Sequence, residues 1–510
     1  MEKRLDTSGD SRWRGVKRKS DDTSEGQRQG GGKLYPSRKN TGDTRAHSLP
    51  VLPVHYDLKF PDYRQPVEIG CFSLDSHRQL FNDDRQLRFC RMPPDKKPRF
   101  NLRDGFKDRY IKRNDSVKEK LDHVLKWILL NRQKFPTLAG DRGSPAVTNQ
   151  LHTDFITWRG HLTKILTTPY ENREGWLMAV TLFNGTYYMS EVETEEARCQ
   201  REQRTEQQQE LMYGGYKFEQ YLCADKAEGS PDPSGVVNTN EAFCCVVRTR
   251  LDGHSLVFSG EVDCKDNSDP RLKPPQCYVE LKTSRETYSP NQEKNFLRFK
   301  LIKWWAQSFL PGVPQIVAGF RDDSGTVVSL QTFETMKIHH LVKNERGCWK
   351  PAVCLNFCNA FLSFVKQVVT LDNHRMVTLF SWEPGKDISY TLHSDGAFGF
   401  LPGWYVGSVF GHSGTLGTAA LCIDCIHGGE FRSDNPLCSL YDSLQSLPLC
   451  LCGVSIPHRD ACGEDALYQS FVDLGERATV QTSFSEQPDE VQSLLCFFHC
   501  GNSVQSPVQI

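Results

Sequence analysis

The chain is 510 residues long, 38% hydrophobic and 11% aromatic, which is enough for one large or two ordinary domains with a buried core. Its net charge of −1 hides a polarity: residues 407–510 hold no lysine, three arginines and twelve acidic residues, a balance of −9, so residues 1–406 carry +8. There are nineteen cysteines, an odd number, and no apolar run near the roughly 20 residues of a bilayer crossing, so a disulfide scaffold and a membrane protein are excluded.

The start, MEKRLDTSGD, has no apolar stretch and is no secretory signal, so a soluble, intracellular protein with reduced thiols is expected. Residues 1–48 are rich in Ser, Gly, Asp and Arg and read as a disordered basic tail, +5 from 12 basic and 7 acidic side chains. Within it Lys17-Arg18-Lys19 reads either as a nuclear import signal or as a solvated charge cluster. The rest of residues 1–406 is then only +3, which favours a polyanionic partner weakly. From Leu49 to Val406 the patterning is globular. Val117, Leu121, Val124, Leu125, Ile128 and Leu129 predict one apolar face of a helix over 116–131, capped by Asp115 or Ser116.

The segment Leu256 to Thr283 carries the chemistry. In 256–264 apolar or small residues alternate with Val257, Ser259, Glu261 and Asp263, so a strand would point Glu261 and Asp263 the same way. In 277–283, Val279 and Leu281 face one side, Glu280 and Lys282 the other. If the two strands pair across the polar connection 265–276, each buries its apolar face and offers two charged groups on the other. Two unit charges about 4 Å apart repel by roughly 4 kcal/mol at an effective dielectric near 20. Crowded carboxylates therefore protonate, spread or take up a cation, and oxygen-only donors favour a hard ion such as Mg²⁺ or Mn²⁺. A hairpin with a solvated charged face is the plain alternative.

A second helix is predicted over 295–309, with Lys300, Lys303 and Gln307 on one polar face and Trp304 and Trp305 in the core. Strand content after Gly312 predicts a second, smaller sheet. Residues 407–510 are Ser- and Cys-rich and are expected to be poorly structured. Their Cys422/Cys425 pair is matched only by a poorly formed group at Cys496, His499 and Cys500, which argues against zinc. The expected fold is therefore mixed α/β (α+β): one catalytic domain over 49–406, with a central mixed sheet carrying all four charged groups and helices flanking it.

The order Glu-x-Asp then Glu-x-Lys matches the carboxylate-and-lysine core of the PD-(D/E)XK nucleases. Further motifs stand at Gly70–Asp75, Thr157–Lys164, Gly215–Gln220, Lys303–Gly312 and Phe380–Gly385. In that order, from about Pro66 to Val406, the chain resembles the eukaryotic decapping exoribonuclease family.

The resemblance implies a role for each matching position. Glu219, Glu261, Asp263 and Glu280, with the backbone carbonyl of Leu281, would hold two divalent cations, Mg²⁺ or Mn²⁺. Lys282 and Gln307 would contact the scissile phosphate. Trp158, Arg159 and Gly160 would hold an RNA 5′ end, and Arg78, Glu119 and Cys244 fall where the family contacts substrate. The plain reading of Cys244 is a small buried residue. The implied activity is hydrolysis of RNA 5′ ends that bear a triphosphate, an unmethylated guanosine cap or a nucleotide-cofactor cap such as NAD. Degradation of the RNA 5′ to 3′ would follow, in a monomer located in the nucleus. Two other readings stay open: a DNA nuclease, and a non-catalytic partner of another RNA-degrading enzyme. The fungal branch of the family associates with a nuclear exoribonuclease.

Overall fold

The computed structural model describes residues 48–410, apart from 96, 136–149, 344, 346 and 395, and three short strands beyond them (Thr479–Ser483, Leu495–His499 and Val508–Gln509). The basic cluster at 17–19 and the Cys422/Cys425 pair lie outside the described residues. The chain divides after Gly417 into two units. In the second, the three short strands form a small antiparallel sheet.

The first unit is built on two mixed sheets. Its strands begin with β1 (Val67–Leu74), β2 (Leu80–Phe81), β3 (Phe89–Cys90), β4 (Phe100–Asn101), β5 (Tyr110–Ile111) and β6 (Phe155–Trp158). Next come β7 (Trp176–Phe183), β8 (Thr186–Val192), β9 (Cys223–Ala224), β10 (Val237–Asn238), β11 (Ala242–Leu251) and β12 (His254–Glu261). The last are β13 (Cys264–Lys265), β14 (Tyr278–Arg285), β15 (Gln315–Arg321), β16 (Thr326–Glu334), β17 (Val377–Trp382) and β18 (Ser389–His393). One sheet runs β18-β17-β7-β8-β6-β12-β11-β1-β2, the other β4-β16-β15-β14-β13-β3-β9, and β5 pairs with β10 apart from both.

The two charged strands neither pair nor share the one central sheet expected to carry both. β12 lies between β6 and β11 in the larger sheet, whereas β14 lies between β13 and β15 in the smaller. β12 ends at Glu261, opposite Cys244, and the chain crosses through Val262 and Asp263 to pair Cys264 with Val279. The carboxylates therefore stand at a seam between two sheets. Alternation holds along β14 and along β12 as far as Glu261, but the strand expected over 256–264 stops there, so Asp263 does not share a strand face with Glu261, and a period of two does not say which strand is the neighbour. β12 itself is buried on both faces: Leu256 and Phe258 enter one core, Val257 another. A third core joins Phe218 and Leu222 to Val279, Leu281 and Val317 of the smaller sheet.

The helices follow as α1 (Asp122–Leu130), α2 (Arg159–Thr167), α3 (Glu195–Glu202), α4 (Glu206–Leu222), α5 (Pro290–Asn295), α6 (Leu301–Phe309), α7 (Ile338–Val342), α8 (Pro351–Val368) and α9 (Gly403–Phe410). Among the described residues no helix is long and apolar enough to cross a membrane. α9 runs past the expected domain edge at 406, and Tyr405 holds it to the larger sheet by a 2.8 Å hydroxyl contact with Tyr188.

α1 starts six residues later than its apolar pattern predicts. Lys120 takes a left-handed φ of +47°, which a helix does not admit, and its carbonyl accepts the Trp158 indole N–H at 2.6 Å. Residues 116–120 are thus a loop that presents Glu119 sideways. The second predicted helix starts earlier, at Pro290 behind the Ser289 cap, and passes through a π-helical turn at Phe296–Lys300 into α6. Trp304 and Trp305 are core, as expected. Lys300 and Lys303 are already engaged: Lys300 donates to the Thr283 carbonyl at 2.9 Å, and Lys303 pairs with Glu171 at 3.0 Å.

Glu68 on β1 gives the fold a pH dependence. Burial pushes its carboxyl up to about 7, although the Tyr278 hydroxyl donates to it at 2.6 Å and pulls the other way. The folded protein then keeps a proton that the unfolded chain releases above about 4.3, so this group's contribution falls as pH rises toward 7. Glu68→Gln is expected to flatten the loss of melting temperature between about pH 5 and pH 7. An unchanged slope would refute this assignment.

Candidate active site

Five elements converge where the sheets meet. The end of β12 supplies Glu261, the link to β13 supplies Asp263, β14 supplies Glu280 and Lys282, α4 supplies Glu219, and the start of α2 supplies Arg159. α4 is set by a full capping box: the Thr205 hydroxyl accepts from the Gln208 N–H, and the Gln208 side chain accepts from the Thr205 N–H.

Glu280 is 3% exposed, which rules out a solvated charged face. Burial opposes its charge, but Lys282 and then Arg159 outweigh it and hold the carboxyl below its usual range. Lys282 Nζ contacts Glu280 Oε1 directly, and Arg159 lies 3.6 Å from Oε2. Arg159 also donates to the Gln307 carbonyl at 3.1 Å and reaches the Glu261 carbonyl at 3.5 Å. Gly260 admits this side chain, since a Cβ there would stand 3.0 Å from the Cβ of Arg159.

Asp263 accepts the Leu281 N–H at 2.6 Å, yet burial and then Glu280 push its carboxyl up to about 7. Glu219 is pushed well above its usual range by burial and then by Asp263, and Arg88, 3.7 Å away, offsets this only in part. Among the described residues no three of these groups converge as a ready-made ligand cluster. They are nonetheless neighbouring oxygen donors whose charges oppose one another.

Beside this centre lies a cavity of about 670 Å³. Gly260 and Glu261 form one wall with Trp158, Arg159 and Gly160, and Arg78 and Glu119 form another. Arg78 binds Glu119 through two bonds of 2.8 and 2.6 Å, and Arg113 adds a third at 2.9 Å. Cys244 does not reach the cavity: it is fully buried, opposite Glu261 on the neighbouring strand, and burial pushes its thiol well above the usual range. Gln307 does not line it either and meets the site through its carbonyl. Leu281 contributes its N–H, to Asp263. Sequence reading missed Arg88 and Arg113. Both sit in irregular segments, where no period marks which charges meet.

A family model described as RAI1 like PD-(D/E)XK nuclease matches residues 64–406. The decapping and exoribonuclease protein of Homo sapiens is 55% identical over 363 residues, covering 71% of this chain and 89% of that one. This chain belongs to the RAI1-like PD-(D/E)XK nuclease family. Among solved structures, Rai1 of S. pombe in complex with 3′-FADP matches at a TM-score of 0.53 and 25% identity, covering 67% of this chain and 98% of that one. Rai1 of Scheffersomyces stipitis, with (3′-NADP)⁺ and calcium ion, matches in fold at a TM-score of 0.59 and 24% identity, covering 69% and 94%. As a RAI1-like nuclease the protein is a divalent-metal-dependent hydrolase. Its donor set suits that: partly desolvated carboxylates that repel one another are what a hard divalent cation relieves.

Proposed function

We propose that this nuclease removes incomplete or non-standard caps from RNA 5′ ends and then degrades the RNA 5′ to 3′. The carrying observation is the cavity that begins at Glu261. About 670 Å³ accommodates a cap-sized group and not a continuing duplex, so an end is presented to the carboxylates. Its lining holds seven arginines and lysines against five acidic residues, a modest basic excess that suits a phosphate-bearing ligand. Names of relatives at more than half identity point the same way.

Glu219, Glu261, Asp263 and Glu280, with the Leu281 carbonyl, would hold two cations, Mg²⁺ or Mn²⁺. Such ions supply an acidified attacking water and charge neutralisation at the leaving oxygen. The chain's own groups do the rest. Lys282 faces the charge that builds on the phosphate oxygens. Gln307 adds a polar contact to that phosphate region. Arg159, fixed by two backbone carbonyls, orients the 5′ end together with Trp158, and Gly160 leaves open space beside them. Arg78 and Glu119, locked to each other, shape the far wall. The proposed location is the nucleus, with a 5′–3′ exoribonuclease as the associate by analogy with fungal relatives.

The test is hydrolysis of 5′-triphosphate, unmethylated-cap and NAD-capped RNA with Mg²⁺ or Mn²⁺, beside matched DNA. All three RNAs are expected to be cut, and Glu261→Ala and Asp263→Ala proteins to be inactive. Binding without hydrolysis would favour a non-catalytic partner, and equal cutting of DNA would favour a DNA nuclease. A protein ending at Phe410 is expected to hydrolyse as fast as the full chain. Loss of activity on that truncation would give residues 411–510 a catalytic role.

A further inference from the structure

Directly behind the carboxylates, three strands bring three thiols together. Cys90 ends β3, Cys223 begins β9 and Cys264 begins β13, and they are 9%, 5% and 0% exposed. β3 and β9 are antiparallel, with Cys90 directly opposite Cys223. The Arg91 N–H donates to the Leu222 carbonyl at 2.7 Å, which makes the next rung the hydrogen-bonded one. Cys90 and Cys223 are therefore a non-hydrogen-bonded pair, whose α-carbons stand about 4.5 Å apart. Disulfides span α-carbon separations of about 4.4–6.8 Å, so these two cysteines can join without a change of register. β13 runs parallel to β3, and the Cys264 thiol contacts both others.

Each thiol abuts one part of the site. Cys90 follows Arg88, the partner of Glu219, by two residues. The Cys223 N–H donates to the Glu219 carbonyl and closes the last turn of α4. Cys264 is the residue after Asp263. Contact with Cys264 also holds the Cys90 thiol below its usual range, with Arg91 adding to the effect, which makes Cys90 the nucleophile of the three.

We propose that this cluster is an oxidation site at which a hydroperoxide joins Cys90 to Cys223 and thereby disables the carboxylate centre. With hydrogen peroxide the Cys90 sulfur attacks the O–O bond, forming a sulfenic acid and releasing one water; an organic hydroperoxide releases its alcohol instead. The Cys223 sulfur then attacks that sulfenic sulfur. The S–O bond breaks, the S–S bond forms and a second water leaves. Two thiols give up two electrons and two protons, and one peroxide takes them up. A disulfide favours α-carbons about 5.5–6 Å apart, so the new bond pushes β9 away from β3 and shifts the end of α4 and with it Glu219.

The test treats the full-length protein with hydrogen peroxide, blocks the remaining thiols and maps unreduced peptides by mass. A Cys90–Cys223 linked peptide is expected. Hydrolysis of 5′-triphosphate RNA should fall about 100-fold, the scale of a ~1 Å misplacement of reacting groups, and dithiothreitol should restore it. Cys90→Ser and Cys90→Ala proteins should keep untreated activity and resist peroxide. No linkage at Cys90, linkage without loss of activity, or equal sensitivity in both variants would each overturn the proposal. The activity arm rests on the nuclease reading above, whereas the linked peptide does not. An untreated protein that cuts no RNA would therefore refute that reading and leave the oxidation site to be decided by mass.

Discussion

Asp263→Asn is expected to lower hydrolysis of 5′-triphosphate RNA about 10³-fold, the upper end of what one lost electrostatic contact at a reacting centre costs, while making the metal-free protein more stable. The two effects have one cause. Asp263 is half-buried beside Glu280, and its carboxyl is pushed up to about 7 by desolvation and then by Glu280, so its charge is opposed by the folded protein. Asparagine keeps an oxygen to accept the Leu281 N–H, at 2.6 Å in the native protein, and removes the charge. Relief of repulsion should appear as a higher melting temperature in chelator-treated buffer at neutral pH. It should vanish below about pH 4, where an unfolded-state aspartate is itself protonated. Added Mg²⁺ should raise the melting temperature of the wild-type protein and barely move that of the variant. A variant less stable than wild type without metal, or as active with it, would show that Asp263 is an ordinary structural carboxylate.

The same residue shows where sequence reading stops. Period-two alternation placed Glu280 and Lys282 on one face of β14 and Val279 and Leu281 on the other, and the structure buries the latter pair against α4. It could not show that β14 and β12 belong to different sheets, because strand pairing is decided by non-local packing. Nor could it show that Glu280 is buried and held by Arg159, which is 121 positions earlier in the chain. The apolar pattern over 116–131 reads as helix throughout. The left-handed φ at Lys120 and the charge contacts of Glu119 override it, and that local conflict marks a wall of the cavity. Glu219 had no local signal at all. It stands on a well-capped helix like many surface glutamates, and only the motif order of the family singled it out.

Arg159 is the point where these long-range contacts close, and its replacement should be the most damaging of the basic-residue changes. Arg159→Ala leaves Glu280 buried with Lys282 alone facing it and strips donors from the Gln307 and Glu261 carbonyls. Removing the only partner of a buried charge costs about 3–5 kcal/mol; with Lys282 still facing Glu280, this change should cost less, about 1–3 kcal/mol, for the weakened pairing and the carbonyls left without a donor. Arg159→Lys separates charge from shape. A lysine keeps the positive charge near Glu280 but has no planar fork to reach two carbonyls at once. Its stability should lie close to wild type while kcat/KM for capped RNA falls about 100-fold, since orientation of the 5′ end is lost. Urea unfolding of the three proteins, read beside single-turnover hydrolysis, distinguishes the roles. If Arg159→Lys matched wild type in rate, Arg159 would serve only to neutralise Glu280. If Arg159→Ala unfolded at the same urea concentration as wild type, the 3.6 Å contact would carry no stability, and Lys282 alone would hold Glu280 ionised.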